Sequence, residues 1–227
     1  MTNLAERIIL EKAEEFPHWS RTFRSFLEIS FNNVSYQSAD EADIWMKTEI
    51  MYAEILDTLI RISGVRDDWE GPLFFPLAVK GGLEVIFHAK KNESRYIFGT
   101  DESGFFLSTD LSYAENIRKM NDDFWYMFSE LSQLGELDLW ENHVLPDSEV
   151  RKEPYLHRKS KSKIYSLIRN SIALEKHYGT CEDLDSVIVR WKYDTPWIEL
   201  LEKGALAFKN LYKINYELWR KRSKTER

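Results

Sequence analysis

A chain of 227 residues, 43% hydrophobic and 30% charged, carries enough apolar material for a core and has neither a disordered nor a fibrous composition. Its formal net charge of −7 argues against a protein that coats nucleic acid indiscriminately, and its one cysteine, Cys181, excludes an intramolecular disulfide. The N-terminal stretch mixes acids and bases, has no Gly at position 2, and no apolar run approaches a membrane span, so the expected location is the cytoplasm.

Leu4, Ile8, Ile9 and Ala13 recur at helical spacing and predict a helix over 3–15, stopped before Pro17. Residues 18–36 carry two signals. Trp19, Phe23, Phe26, Leu27 and Phe31 suit a helix, while the alternation around Asn32 and Asn33 suits a hairpin; the balance favours helix. Ser38 followed by Glu41 forms a capping box, Asp40 and Asp43 complement the helix dipole, and Gly64 is a natural terminator. A long helix is therefore expected between them, with Trp45, Tyr52, Ile55, Leu56 and Leu59 on its apolar face.

From about 73 to 108 the period changes to short runs separated by turn chemistry, which predicts an antiparallel meander of three or four strands. Pro76 confines the first run to an edge or to no strand at all. Leu83, Val85, Phe87 and Ala89 alternate with Glu84, Ile86 and His88, and His88 reads as a structural residue on a strand face. Helix resumes at Ser112, paired with Glu115, breaks at 121–123 and ends at Gly135. Residues 136–160 read as a linker or long loop. Residues 162–178 form a helix with Ile164, Leu167, Ile168 and Ile172 on one face, closed by Gly179. Alternation at 186–193 marks a further candidate strand. Thr195 then caps a last helix with Pro196 at its first position, running through Leu200, Phe208, Leu211 and Leu218. The sum is an α+β fold, predominantly long amphipathic helices packed around a small antiparallel sheet.

The charges divide at Asp147. Residues 1–147 hold 13 Lys and Arg against 27 Asp and Glu, a net of −14, whereas 148–227 hold 18 against 11, a net of +7. The acidic and basic regions are read as parts of one compact domain. The basic residues gather at Arg151, Lys152, Arg158, Lys159, Lys161 and Lys163, and again at Arg220, Lys221 and Arg222. This layout allows three outcomes: pairing within the molecule, docking of an acidic protein, or contact with phosphates. Tyr155 and Tyr165 beside the first cluster add the interleaving that permits base stacking.

Catalytic motifs are scarce. There is no Gly-rich phosphate loop, GxSxG elbow, HExxH or paired CxxC, and no cofactor or metal is expected. Asp183 and Asp185 read as turn and strand-entry residues. A nucleophilic Cys181 would need His177 as its base. Arg151 and His157 are separated by five residues across Pro154, and Arg169, followed by Asn170, precedes His177 by eight positions. These two segments resemble the Arg–spacer–His element of metal-independent HEPN-type ribonucleases, a resemblance confined to one short element. It implies a phosphate-stabilising Arg and an acid–base His, at Arg169 and His177 or at Arg151 and His157. The leading expectation is nevertheless non-catalytic: a cytoplasmic binding or accessory subunit, prokaryotic or phage in style, whose basic C-terminal surface docks an acidic protein or a nucleic-acid backbone. The ribonuclease is the alternative.

Overall fold

The structure is a computed structural model and describes residues 4–30, 38–77, 82–140, 162–181 and 184–222. Helix α1 (Leu4–Lys12) is followed by a short turn and by α2 (Phe16–Ser30). Pro17 thus lies in the first turn of α2 instead of lying beyond a helix end. A proline is tolerated there because its missing N–H would have no intrahelical partner. The helical reading of 18–36 holds through Ser30, and 31–36 lies outside the described residues.

Helix α3 (Ala39–Ser63) begins and ends as its sequence dictates. The Ser38 hydroxyl accepts from the Glu41 N–H, the Glu41 carboxylate accepts from the Ser38 N–H, and Gly64 closes the helix at φ 68°. Four strands follow: β1 (Trp69–Leu77), β2 (Gly82–Ala89), β3 (Ser94–Asp101) and β4 (Gly104–Thr109). They form the expected meander. Its first strand lies at an edge and carries a bulge between Glu70 and Leu73, where the ladder shifts register.

A 3-10 turn (Ala114–Lys119) stands where a helix from Ser112 was expected. The Ser112 hydroxyl accepts from Ser94 across the sheet instead of capping, and Tyr113 at φ 61° sets the entry. Helix α4 (Asp122–Leu134) is capped by Asn121, whose side chain accepts from the Phe124 N–H. The expected loop from 136 is corrected at its start, because Glu136–Trp140 form strand β5; residues 141–160 lie outside the described residues. Its short alternation, Leu137 and Leu139 against polar neighbours, is completed by a partner strand 50 residues later in the chain (Leu139 opposite Val187, for example). Helix α5 (Lys163–Tyr178), strand β6 (Ser186–Trp191) and helix α6 (Trp197–Arg222) complete the chain.

All pairings are antiparallel, and the strand order is β1-β2-β3-β4-β6-β5. The sheet is therefore larger than the small meander expected, and the predicted strand at 186–193 lies inside it, between β4 and β5. One face is covered by helices. Leu83, Val85, Phe87, Tyr96, Phe98, Phe105, Leu107, Val187 and Val189 are buried there against Tyr52, Ile55, Leu56 and Leu59 of α3 and Leu201, Phe208 and Leu211 of α6. Aromatic pairs knit this layer, with Tyr96 and Phe208 at 5.1 Å and Tyr52 and Phe98 edge-on at 5.5 Å. Gly204 lets α6 approach α3 closely, since a Cβ there would stand 3.0 Å from a Leu59 methyl. Among the described residues no helix is long and apolar enough to cross a membrane.

Candidate functional site

The sheet's other face is built from the alternate residues of the same strands. Ile86, Ile97, Phe106 and Ile188 form a second, smaller buried cluster, with the half-buried Trp140 packed against it. The register explains the grouping: Ile86 faces Ile97, Ser108 faces both Ile97 and Ile188, and Trp140 faces Ser186. A groove of about 260 Å³ opens here. Ile97, Phe106 and Ile188 line its floor, Trp140 forms a wall, and Glu84, Arg95, Ser108, Asp110 and Ser186 supply its polar groups.

The polar groups are held in place by one another. Arg95 pairs with Asp110 at 2.6 Å, and the Ser186 hydroxyl donates to the other oxygen of Asp110, also at 2.6 Å. Thr109 donates to the Arg95 carbonyl at 2.6 Å. Toward one end of the groove Arg190 pairs with the buried Asp101 at 2.7 Å, and its guanidinium lies 5.6 Å from the Phe106 ring centre. Arg95 and Asp110 keep 43% and 35% of their side-chain surface exposed, so both remain accessible to a ligand. The arrangement offers an apolar slot with paired charges at its rim. No histidine or cysteine lines it among the described residues, and the Ser186 hydroxyl donates to a carboxylate.

Strand β5 is the edge next to this groove and also receives the start of α5. Lys163 reaches back to Asp138 at 2.5 Å. Burial alone would raise the Asp138 pKa, but the Lys163 hydrogen bond, the Leu139 N–H and the charges of Lys163 and Arg190 outweigh it and hold the carboxyl below its ordinary value. Trp140 thus ends β5, and Lys163 reaches the same strand through Asp138.

Of the sequence-predicted cations, Arg151, Lys152, Arg158, Lys159 and Lys161 lie outside the described residues, as does His157. Of the others, Lys163 begins α5, while Arg220, Lys221 and Arg222 share the last turn of α6. Lys163 is on Asp138, Arg220 is on Glu217 at 2.5 Å, and Arg222 reaches Glu93 at 3.2 Å while lying over the Tyr113 ring. Lys221 shares the last turn of α6 with them. Arg169 donates through two nitrogens to Asn170 Oδ1 at 3.1 and 2.9 Å, and Asn170 donates to the buried Asp185 at 2.6 Å. His177 lies on the same helix about 12 Å further along by helical rise. Cys181 donates to the Ser171 carbonyl and is 3% exposed. Among the described residues no group of three or more His, Cys, Asp or Glu side chains could hold a metal ion.

Sequence reasoning missed the groove residues Arg95, Asp110, Ser186 and Trp140. A signal was present in the strands, where Ile86, Ile97 and Ile188 each stand one face away from the main core. Reading it required the pairing of β4, β5 and β6. No known protein-family model matches the chain, and neither a curated protein nor a solved structure does.

Proposed function

We propose that this protein is a non-catalytic binding or accessory subunit that docks an acidic protein segment. The observation that carries this reading is the groove on the sheet face opposite α3 and α6, with its apolar floor and the Arg95–Asp110 pair at its rim. A slot of this kind takes one apolar side chain of a partner and fixes its direction with hydrogen bonds to charged groups. The basic run adds the sign of the partner. Six Lys and Arg lie between positions 151 and 163. Complementary charge would select an acidic segment and raise its on-rate. Arg220 and Arg222 near the C-terminus are engaged with carboxylates of their own chain, which favours a protein partner over a phosphate backbone.

The test is selection of displayed peptides on the full chain, followed by anisotropy of the selected peptide beside a short single-stranded RNA. Selected peptides should combine Asp or Glu with one aromatic or Leu anchor. Trp140→Ala and Arg95→Glu should each weaken them by about tenfold or more. RNA binding with a steep salt dependence and no peptide selection would overturn the reading. RNA cleavage lost in His177→Ala would install the ribonuclease alternative.

A further inference from the structure

The rim of the sheet groove is held from the opposite side of the sheet. Thr109, the last residue of β4, stands across from Tyr96 and Val187 and so points into the helix-covered core. Arg95 and Asp110 line the groove on the other face. Helix α6 reaches this corner with Asn215, which is fully buried. Its side-chain Nδ2 donates to the Thr109 hydroxyl oxygen at 2.8 Å and to the Asp110 carbonyl at 3.1 Å. The Thr109 hydroxyl in turn donates to the Arg95 carbonyl at 2.6 Å.

The direction of each bond follows from the groups involved. A hydroxyl has one proton, and the carbonyls of Arg95 and Asp110, which can only accept, both call for it. The Thr109 oxygen therefore meets Asn215 as an acceptor, and Asn215 supplies both of its amide protons. One acts through Thr109 on the backbone of Arg95, and the other acts directly on the backbone of Asp110. Aspartate and leucine, both close to asparagine in size, can do neither.

The Arg95–Asp110 pair does not hold its own geometry. With 43% and 35% of the two side chains exposed, it belongs to the surface pairs whose net attraction is small. Its geometry comes from what fixes the two residues: Asn215 on the core side, the Ser112 N–H on the Asp110 carbonyl at 3.2 Å, and the Ser186 hydroxyl on the Asp110 carboxylate. Ser112 and Ser186 act on Asp110 alone, whereas Asn215 ties both rim residues to the helix layer.

We propose that Asn215 is a positioning residue for the groove: from α6 it sets the backbones of Arg95 and Asp110 through the sheet, and with them the guanidinium and carboxylate that meet a bound segment. The proposal rests on the reading of the groove as the binding site and adds a coupling to it. Such coupling is reciprocal, so a segment held by the rim pair also tightens the docking of α6.

The test compares Asn215→Leu with Leu211→Ala, a core truncation one turn earlier in the same helix. Nitrogen relaxation of the full chain, without any peptide, reads the order of the Arg95 Nε–H. Its order parameter should stay in the ordered range in the parent and in Leu211→Ala, and fall below about 0.6 in Asn215→Leu. Thr109→Val, which breaks the branch to Arg95 alone, should give a smaller fall and decides the matter if Asn215→Leu does not fold. Anisotropy with an acidic peptide selected on the parent chain then reads the coupling. Asn215→Leu should weaken that peptide by about fivefold, and have no effect when Arg95→Ala is already present. An order parameter unchanged in Asn215→Leu and Thr109→Val, an equal fall in Leu211→Ala, or equal weakening in the Arg95→Ala background would overturn the positioning role. A fall in order in a chain that selects no peptide would instead overturn the groove reading, so the two failures are distinguishable.

Discussion

Arg190→Met tests how much of the fold rests on the pair that ties β6 to the meander. Asp101 is 3% and Arg190 14% exposed as side chains, and their contact is 2.7 Å. Methionine keeps most of the side-chain length and apolar stem while removing the charge and every donor. The Asp101 carboxylate would then keep only the Ser103 N–H at 2.9 Å as a donor to its side chain. Breaking a buried pair from one side costs about 3–5 kcal/mol, because the remaining charge stays desolvated. The surviving Ser103 bond and the partial exposure of Arg190 place the expected loss near the low end, about 3 kcal/mol. In a chain of this size that corresponds to a fall in Tm of about 6–12 °C.

Urea unfolding followed by the fluorescence of the eight tryptophans would measure the loss. The companion variant Asp101→Asn closes a double-mutant cycle. With Asp101→Asn already present, Arg190→Met should cost about 2 kcal/mol less, since no buried charge remains to be stranded. A loss below about 1 kcal/mol for Arg190→Met alone, or simple additivity in the double variant, would refute the reasoning.

Gly104→Ala should destabilise by about 3 kcal/mol or more in thermal melts. Its φ is 142°, and an added Cβ would stand 2.1 Å from the Trp191 carbonyl oxygen, which cannot yield without opening the β4–β6 ladder. Burial pushes the Cys181 thiol up, against the opposing charge of Arg118, so a thiol-reactive disulfide reagent should label native protein slowly at mildly alkaline pH and label unfolded protein at once. Asp138 has a depressed folded pKa. Its stabilising contribution is present above the unfolded carboxyl value and is lost as pH falls through the folded one. Lys163→Gln should raise its midpoint in an NMR carboxyl titration and shrink that acid-side loss.

Local chemistry made much of the fold legible. The Ser38–Glu41 box, the Asn121 break, and the glycines at 64 and 179 each act on the adjacent helix end, and each was readable from a few residues. Strand β5 was not, because five residues with a weak alternation become a strand only when β6 provides a ladder. The Ser112 signal misled for a related reason: its hydroxyl is engaged by Ser94, a partner 18 positions earlier. The groove shows the same limit, since Arg95, Asp110 and Ser186 belong to three separate runs and meet only through cross-strand pairing.

The charge asymmetry of the chain has a structural use that its sequence could only pose as one of three outcomes. Strand β6 comes from the basic part and is inserted between two strands of the acidic part, so the sheet forces the two populations into contact. Among the described residues three pairs then run from late cations to early carboxylates: Lys163 to Asp138, Arg190 to Asp101 and Arg222 to Glu93. Arg118 with Glu175 runs the other way. Only the Arg190 pair is well enough buried to weigh heavily on stability; the others are surface pairs worth about 1 kcal/mol or less each. Their stronger effect is on selectivity. A cation already closed on a neighbouring carboxylate is a poor phosphate ligand, because binding must first break that pair. Arg220 and Arg222 would have to give up these pairs to hold a nucleic-acid backbone, and the 151–161 run is the other sequence element able to set the sign of a partner. A salt titration of peptide and RNA binding, comparing the parent with Lys159→Glu and Lys161→Glu, separates the two: an acidic peptide should lose on-rate in the variants, while RNA should bind weakly in both.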